Sequence, residues 1–355
     1  MVNFSAGSDT RSAARLTQKQ PISRYLINGL VVATLGASSH VLALAPGDLQ
    51  KAVNGVYAKY KGLKDGETAG YIPELDNVDP ELFGVVITTV DGKVYAAGDV
   101  DHTFSIQSAA KPFTAAMIME NQGIDAVVNK LGVEPTGMPF NSIIATQVIP
   151  TRPTNPLVNA GAIASVSMIK AKNAKDRWNK LLAYYGDMAG EKLTLMDDVY
   201  KSESDTNYNN RAIGNLLYNY GRLYSDPMEA VDVYTKKCSV GVTTKQLSMM
   251  AATLANGGKN PKTGKQVLAA EHVPELLAIM MMAGFYDESG IWAFTAGLPA
   301  KTGVGGGIYA VVPGKMSITA FSPRVNEAGN SVRAMNAIET IARDMGLGLF
   351  GANPK

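Results

Sequence analysis

A chain of 355 residues, 46% hydrophobic and 18% charged, carries enough apolar material for two domains or one large domain with subdomains, and excludes a disordered chain or a charge-rich coiled coil. Lys and Arg number 33 against 31 Asp and Glu, a net charge of +2, which gives no strong field of either sign and argues against a nucleic-acid partner. One cysteine, Cys238, excludes an internal disulfide or a cysteine-cluster metal site, and the three histidines, with no His-Glu-x-x-His run, leave few bases for a serine–histidine–aspartate triad.

Residues 1–45 stand apart. Arg11, Arg15, Lys19 and Arg24 face a single acid, Asp9, and an apolar stretch follows over 25–45. A basic start, a short apolar run and small residues at its end read as an export signal, cleaved after Ala43 so that a periplasmic or secreted chain begins at Leu44. An uncleaved membrane anchor and an organelle transit peptide share these features. Later segments lack the roughly 18 uninterrupted apolar residues of a spanning helix.

From 44 onward the chain reads as one folded domain. Leu49, Val53, Val56, Tyr57 and Tyr60 recur at helical spacing and predict a helix near 48–60. Val85, Val86 and Ile87, then Val94 and Tyr95, flank Asp91-Gly92, a pair suited to the positive φ of a tight hairpin turn. About 200 mostly helical residues follow, including TTKQLSMMAATLANGG, which stops at Gly257-Gly258. A second hairpin is predicted over 308–321, turning at Pro313-Gly314. Val332, Met335, Ile338, Ile341 and Met345 then predict a closing helix over 331–345. Two short hairpins at opposite ends of the chain bury a face only by joining one antiparallel sheet. The fold class is therefore α+β: a sheet subdomain from about 48–105 and 295–350, flanked by the end helices, and a helical subdomain over about 106–294. The cleft between them is the favoured place for a ligand.

The first chemical motif is Ser108-Ala109-Ala110-Lys111, opening an apolar helix. Residues three apart share a helix face, so hydroxyl and amine can meet without a histidine. A lysine sunk in an apolar wall has its charged form disfavoured and can serve as a base near neutral pH. Pro112 suits a first helical turn, and the Ser108 N–H at a helix start is free to donate to an oxyanion. Alone, this pattern is also that of an ordinary helix start. The second motif, Lys301-Thr302-Gly303 before the last hairpin, completes the signature pair of penicillin-binding proteins and serine β-lactamases. The run Gly303-Val304-Gly305-Gly306-Gly307 lets backbone approach a ligand closely.

Over roughly 48–350 the chain resembles the serine-dependent glutaminases, a branch of the β-lactamase-like fold. The resemblance rests on GYIPEL, FSIQSAAK, TNPLVNAGAI, VYKSESDTNYNNRAI, VYTKKCSV, GFYDESG, AKTGVGGGI and SPRVNEAGNSVRAMNAIE. It implies a nucleophile at Ser108, its lysine at Lys111, and Tyr286 and Tyr71 beside them. It implies substrate contacts from Asn159, Glu203, Asn210, Tyr234 and Val304. It also implies L-glutamine as the small-molecule substrate, no metal or organic cofactor, no nucleic acid, and assembly as a homodimer or homotetramer. Ala109, Ala110, Pro112 and Thr302 depart from the family's usual residues, and the N-terminal extension is unlike its cytoplasmic members.

These residue types suit glutamine. A buried carboxylate such as Glu203 neutralises the α-ammonium, and the amides of Asn159 and Asn210 with the Tyr234 hydroxyl can donate to the α-carboxylate. The resemblance then implies a two-step acyl transfer. Ser108 attacks the side-chain amide, Lys111 or Tyr286 takes its proton, the N–H groups of Ser108 and Val304 hold the oxyanion, and water hydrolyses the glutamyl ester. Two other readings share part of the pattern: a penicillin-interacting hydrolase or DD-peptidase, and a catalytically silent amino-acid sensor. Cys238 reads as a buried apolar filler.

Overall fold

The strands of the two predicted hairpins lie side by side. The structure is a computed structural model that describes residues 46–148 and 153–351; the predicted export segment, 1–43, lies outside them. Among the described residues there are eight strands: β1 Gly84–Thr89, β2 Val94–Gly98, β3 Phe104–Ser105, β4 Thr194–Leu195, β5 Val240–Val242, β6 Ala300–Thr302, β7 Gly307–Val312 and β8 Met316–Phe321. The main sheet has the order β2-β1-β8-β7-β6 and is antiparallel throughout. The β1–β8 pairing, with Ile87 opposite Ile318, joins the two ends of the chain.

Alternation along β7 and β8 sorts the two faces. Ile308, Ala310, Val312, Met316, Ile318 and Ala320 pack with Leu49, Val53 and Val56 of the helix Pro46–Tyr60 and with Ala334, Ala337, Ile338 and Ile341 of the helix Val332–Asp344. Tyr309, Val311 and Phe321 belong to the larger core of the helical side. There the helix Thr244–Ala255 lies across β1, β7 and β8. Three hydroxyls satisfy one another at that junction: Ser248 Oγ is 2.7 Å from Thr88 Oγ1 and 2.9 Å from Ser317 Oγ. With helices on both faces, every residue of β7 and β8 is buried.

The middle, predicted as mostly helical, also contributes β4 and β5 to a small sheet ordered β3-β5-β4. Its strands are two or three residues long, too short to register as periodicity. Its effect is to anchor the chain entering the Ser108 turn: Phe104 pairs with Val242, Ser105 with Gly241, and Ile106 N–H donates to Val240 O at 2.8 Å. Among the described residues, no helix is long and apolar enough to cross a membrane.

Candidate active site

Ser108 lies in a 3₁₀ turn, Gln107–Ala110, which runs directly into the helix Lys111–Gln122 with Pro112 in its first turn. In a 3₁₀ turn side chains three apart eclipse, so Ser108 and Lys111 share a face more strictly than an α-helical start would give. The change from β3 to the turn is sharp: Gln107 has φ +46°. A non-glycine residue there costs about 1–3 kcal/mol, and such strain gathers at functional sites. Tyr286, at φ +59°, is a second case in the same cleft.

The glycine run also serves packing: it lets β6 and its turn press against the Ser108 segment. A Cβ on Gly303 would lie 2.9 Å from both Ile106 O and Ala109 N and 3.3 Å from Ser108 N; one on Gly305 would lie 2.4 Å from Ser105 O. A Cβ on Gly307 would meet the Phe104 ring at 2.6 Å. The backbone between Gly303 and Gly305, with Val304 at its centre, is thus seated against the nucleophile turn.

Lys111 is fully buried at the floor. Its Nζ donates to Asn159 Oδ1 at 2.7 Å, and Asn159 Nδ2 donates in turn to Asn210 Oδ1 at 2.9 Å. Burial pulls the Lys111 amine down to about 7, helped by the charge of Lys237. Burial instead pushes the Tyr286 phenol up, against a lowering interaction with the Ser108 hydroxyl. That phenol donates a long hydrogen bond, 3.4 Å, to Thr302 O. Lys301 does not reach the nucleophile as a base. Its Nζ donates to Gly284 O at 3.0 Å and Thr302 O at 2.8 Å and sits 4.1 Å from the Tyr286 ring centroid, bracing that residue from below.

Glu203, on the helix Asp197–Thr206, is buried, and burial raises its carboxyl to about 7. Gln107 Nε2 donates to Glu203 Oε2 at 3.2 Å. Tyr234, on the helix Pro227–Cys238, is buried beside it, and burial raises its phenol too. Cys238 is buried as expected, its thiol pushed up to about 11 by burial. Tyr71 is the least enclosed of the set. The residue is 58% exposed, yet it lines the same pocket as Glu203, and desolvation raises its phenol.

Ser108, Asn159, Glu203, Asn210, Tyr234, Tyr71 and Val304 all line one pocket of about 100 Å³. Tyr71, Phe140, Asn141 and Val304 also line a wider outer groove of about 860 Å³, which none of Ser108, Lys111 or Glu203 lines. The pocket adds residues that the sequence reading missed. Gln107 precedes the nucleophile and was legible only as its neighbour. Phe140 packs at a tilt against Tyr286 with ring centroids 4.5 Å apart, and its ring centroid lies 5.8 Å from Lys111 Nζ. Asn207 donates to Thr235 Oγ1 at 2.9 Å and turns its remaining surface to the pocket. No pattern in the sequence marks these last two.

The comparisons agree with this geometry. The glutaminase family model matches residues 66–350. The glutaminase of Bordetella avium (strain 197N) is 51% identical over 302 residues, 85% of this chain and 97% of that protein. Glutaminase 1 of Escherichia coli (strain K12) is 50% identical over the same shares. Among solved structures, a probable glutaminase, ybaS, superposes with a TM-score of 0.86 at 49% identity, over 87% of this chain and all of that one. Mglu in its glutamate form gives 0.81 at 34% identity, over 86% of this chain and 70% of that one. The neighbours share the serine β-lactamase-like fold, and the chain belongs to the glutaminase family, enzymes that hydrolyse glutamine.

Proposed function

We propose that this site hydrolyses L-glutamine to L-glutamate and ammonia through a glutamyl ester on Ser108, with the residues in the following roles. The observation that carries the assignment is the contrast between two buried groups beside Ser108: the Lys111 amine is lowered to about 7 and the Tyr286 phenol is raised. Near neutral pH Lys111 is therefore the available base, and Tyr286 is the group that still holds a proton to give.

Ser108 Oγ attacks the side-chain amide carbon as its proton passes to Lys111. The carbonyl oxygen becomes an oxyanion, held by the N–H groups of Ser108 and Val304; losing one such donor costs about 3–4 kcal/mol in comparable sites. The C–N bond breaks as Tyr286 gives its proton to the leaving nitrogen, and Lys111 restores it. Water then attacks the ester, surrendering a proton by the same route. The Ser108 oxygen leaves with a proton, and glutamate departs. Glu203, oriented by Gln107, pairs with the α-ammonium. Asn210 and Tyr234 donate to the α-carboxylate, with Asn159 holding Asn210 and Lys111 in register. Tyr71 covers the mouth beside the nucleophile. The structure of the relative Mglu in its glutamate form supports glutamate as the product held here.

The direct test is glutamine turnover with ammonia detection, in which Ser108→Ala falls to background. Activity retained in that variant overturns the assignment. Residues 1–43 are proposed as an export signal, and the active form as a homodimer or homotetramer, which light scattering of the purified chain measures.

A further inference from the structure

Lys237 is a buried lysine for which the mechanism above has no use. It sits on the helix Pro227–Cys238, three residues after Tyr234, and is fully buried. Among the described residues its Nζ finds no hydrogen-bond partner, whereas Lys111 has Asn159 and Lys301 has two carbonyls. It rests instead on the face of the Tyr234 ring, 4.4 Å from the centroid. An aromatic face stabilises a cation when both are desolvated, so this seat suits a charged lysine. A fully buried cation with no acceptor is costly, and a side chain needed only for bulk would be apolar.

Its surroundings give the charge something to act on. Tyr234, on whose ring it rests, lines one pocket with Glu203 from the helix Asp197–Thr206, and the buried Lys111 and Lys301 amines feel its charge; Tyr234 and Cys238 share its own helix. The helix Asn159–Met168, packed on the same helix, has no ionisable side chain. From Ala174–Ala189, Arg177 is engaged with Glu229 at the far end, and Tyr185, near Cys238, remains a neutral phenol. From Tyr208–Asn219, Arg211 is turned to Ser204 O.

We propose that Lys237 is a positioning residue whose buried positive charge biases Lys111 toward its unprotonated form and Glu203 toward its ionised form, the two states in which the free enzyme can bind glutamine and attack it. One charge serves both, because it repels a proton from either group. Burial acts on the two in opposite directions: it frees Lys111 of its proton but tends to leave one on Glu203. Only a neighbouring cation favours the working state of both. The directions agree: after burial, the Lys237 charge is the largest influence lowering Lys111, and it acts with the Gln107 hydrogen bond to hold Glu203 down. Burial lowers Lys237 itself, with Cys238 and Glu203 opposing.

The inference rests on the roles proposed for Lys111 and Glu203. Its test is the pH profile of kcat/KM from about pH 5 to about pH 9 for the wild type, Lys237→Met, Lys237→Gln and Lys237→Arg. Without the charge, the acid limb should move upward by about one pH unit, the scale of losing one neighbouring charge, while the alkaline plateau is kept. Lys237→Arg keeps the charge and should keep the limb. If Lys237→Met does not accumulate folded, Lys237→Gln carries the comparison. Limbs that coincide with wild type in the neutral variants overturn the proposal and leave Lys237 as packing alone. Glu203→Gln, run alongside, separates the two levels. An unchanged KM there breaks the site assignment, whereas a raised KM with unmoved Lys237 limbs breaks only this inference.

Discussion

Lys111 Nζ donates to Asn159 Oδ1 at 2.7 Å, so the amine proposed as the base is held by an amide from a different helix. A neutral acceptor positions the lysine without adding a charge that would favour its protonated form. Asn159→Asp puts a carboxylate at that spot. It should raise the Lys111 pKa, move the acid limb of kcat upward and lower kcat near neutral pH by about 10²-fold or more, the scale of a lost general base. A kcat–pH profile unchanged from wild type would show that Asn159 does not set the state of Lys111.

Tyr286→Phe removes only a hydroxyl from a ring already packed between Phe140 and Lys301. Binding should survive while kcat falls about 10²–10⁴-fold. Mass spectrometry of quenched mixtures then locates the lost step. A glutamyl adduct accumulating on the Ser108 peptide assigns the phenol to deacylation, and slow turnover without adduct assigns it to acylation. Near-wild-type kcat would leave Lys111 to move protons alone.

Glu203→Gln should raise KM for glutamine strongly, because it leaves the ammonium unpaired. It also carries a stability signature. The folded carboxyl titrates at about 7, above its ordinary 4.5, so folding favours its protonated form. Wild-type stability from this group is greatest below about pH 4.5 and declines as pH rises to about 7, by at most about 3 kcal/mol. The variant should therefore melt above wild type at pH 8 and near it at acid pH. A Tm difference that does not grow with pH would show that Glu203 is not buried as a costly charge.

Gly303→Ala tests the seating of the last strands on the nucleophile turn. Its Cβ would meet Ile106 O and Ala109 N at 2.9 Å. Displacing Val304 from Ser108 by even a fraction of an ångström should cost kcat about 10²-fold, with KM less affected. Wild-type kcat in a folded Gly303→Ala protein would separate the Val304 N–H from the chemistry.

N-terminal sequencing of protein from a periplasmic or secreted fraction should begin at Leu44. Full-length protein confined to the cytosol would end the export reading, and recovery in a membrane pellet would favour an anchor.

The sequence by itself determined the frame. Hairpins marked by Asp91-Gly92 and Pro313-Gly314, and end helices with one apolar face, are local patterns, and burying their faces leaves essentially one arrangement. The Ser-x-x-Lys and Lys-Thr-Gly pair and the longer matched stretches identified the pocket residues, because those motifs travel together. Tertiary structure decided what no local pattern encodes. The strands β3, β4 and β5 are too short to show a period, yet they anchor the nucleophile turn. The glycines around the start of β7 read in sequence as ligand-approach glycines, and only the packing shows that their missing side chains also make room for Ile106, Ser108 and Phe104. Lys111, Lys237 and Lys301 are alike in one dimension. Burial and partners from elsewhere in the fold divide them into an amine held by an amide, an amine seated on an aromatic face, and a brace under Tyr286, since a lysine's proton affinity depends on what surrounds it in space.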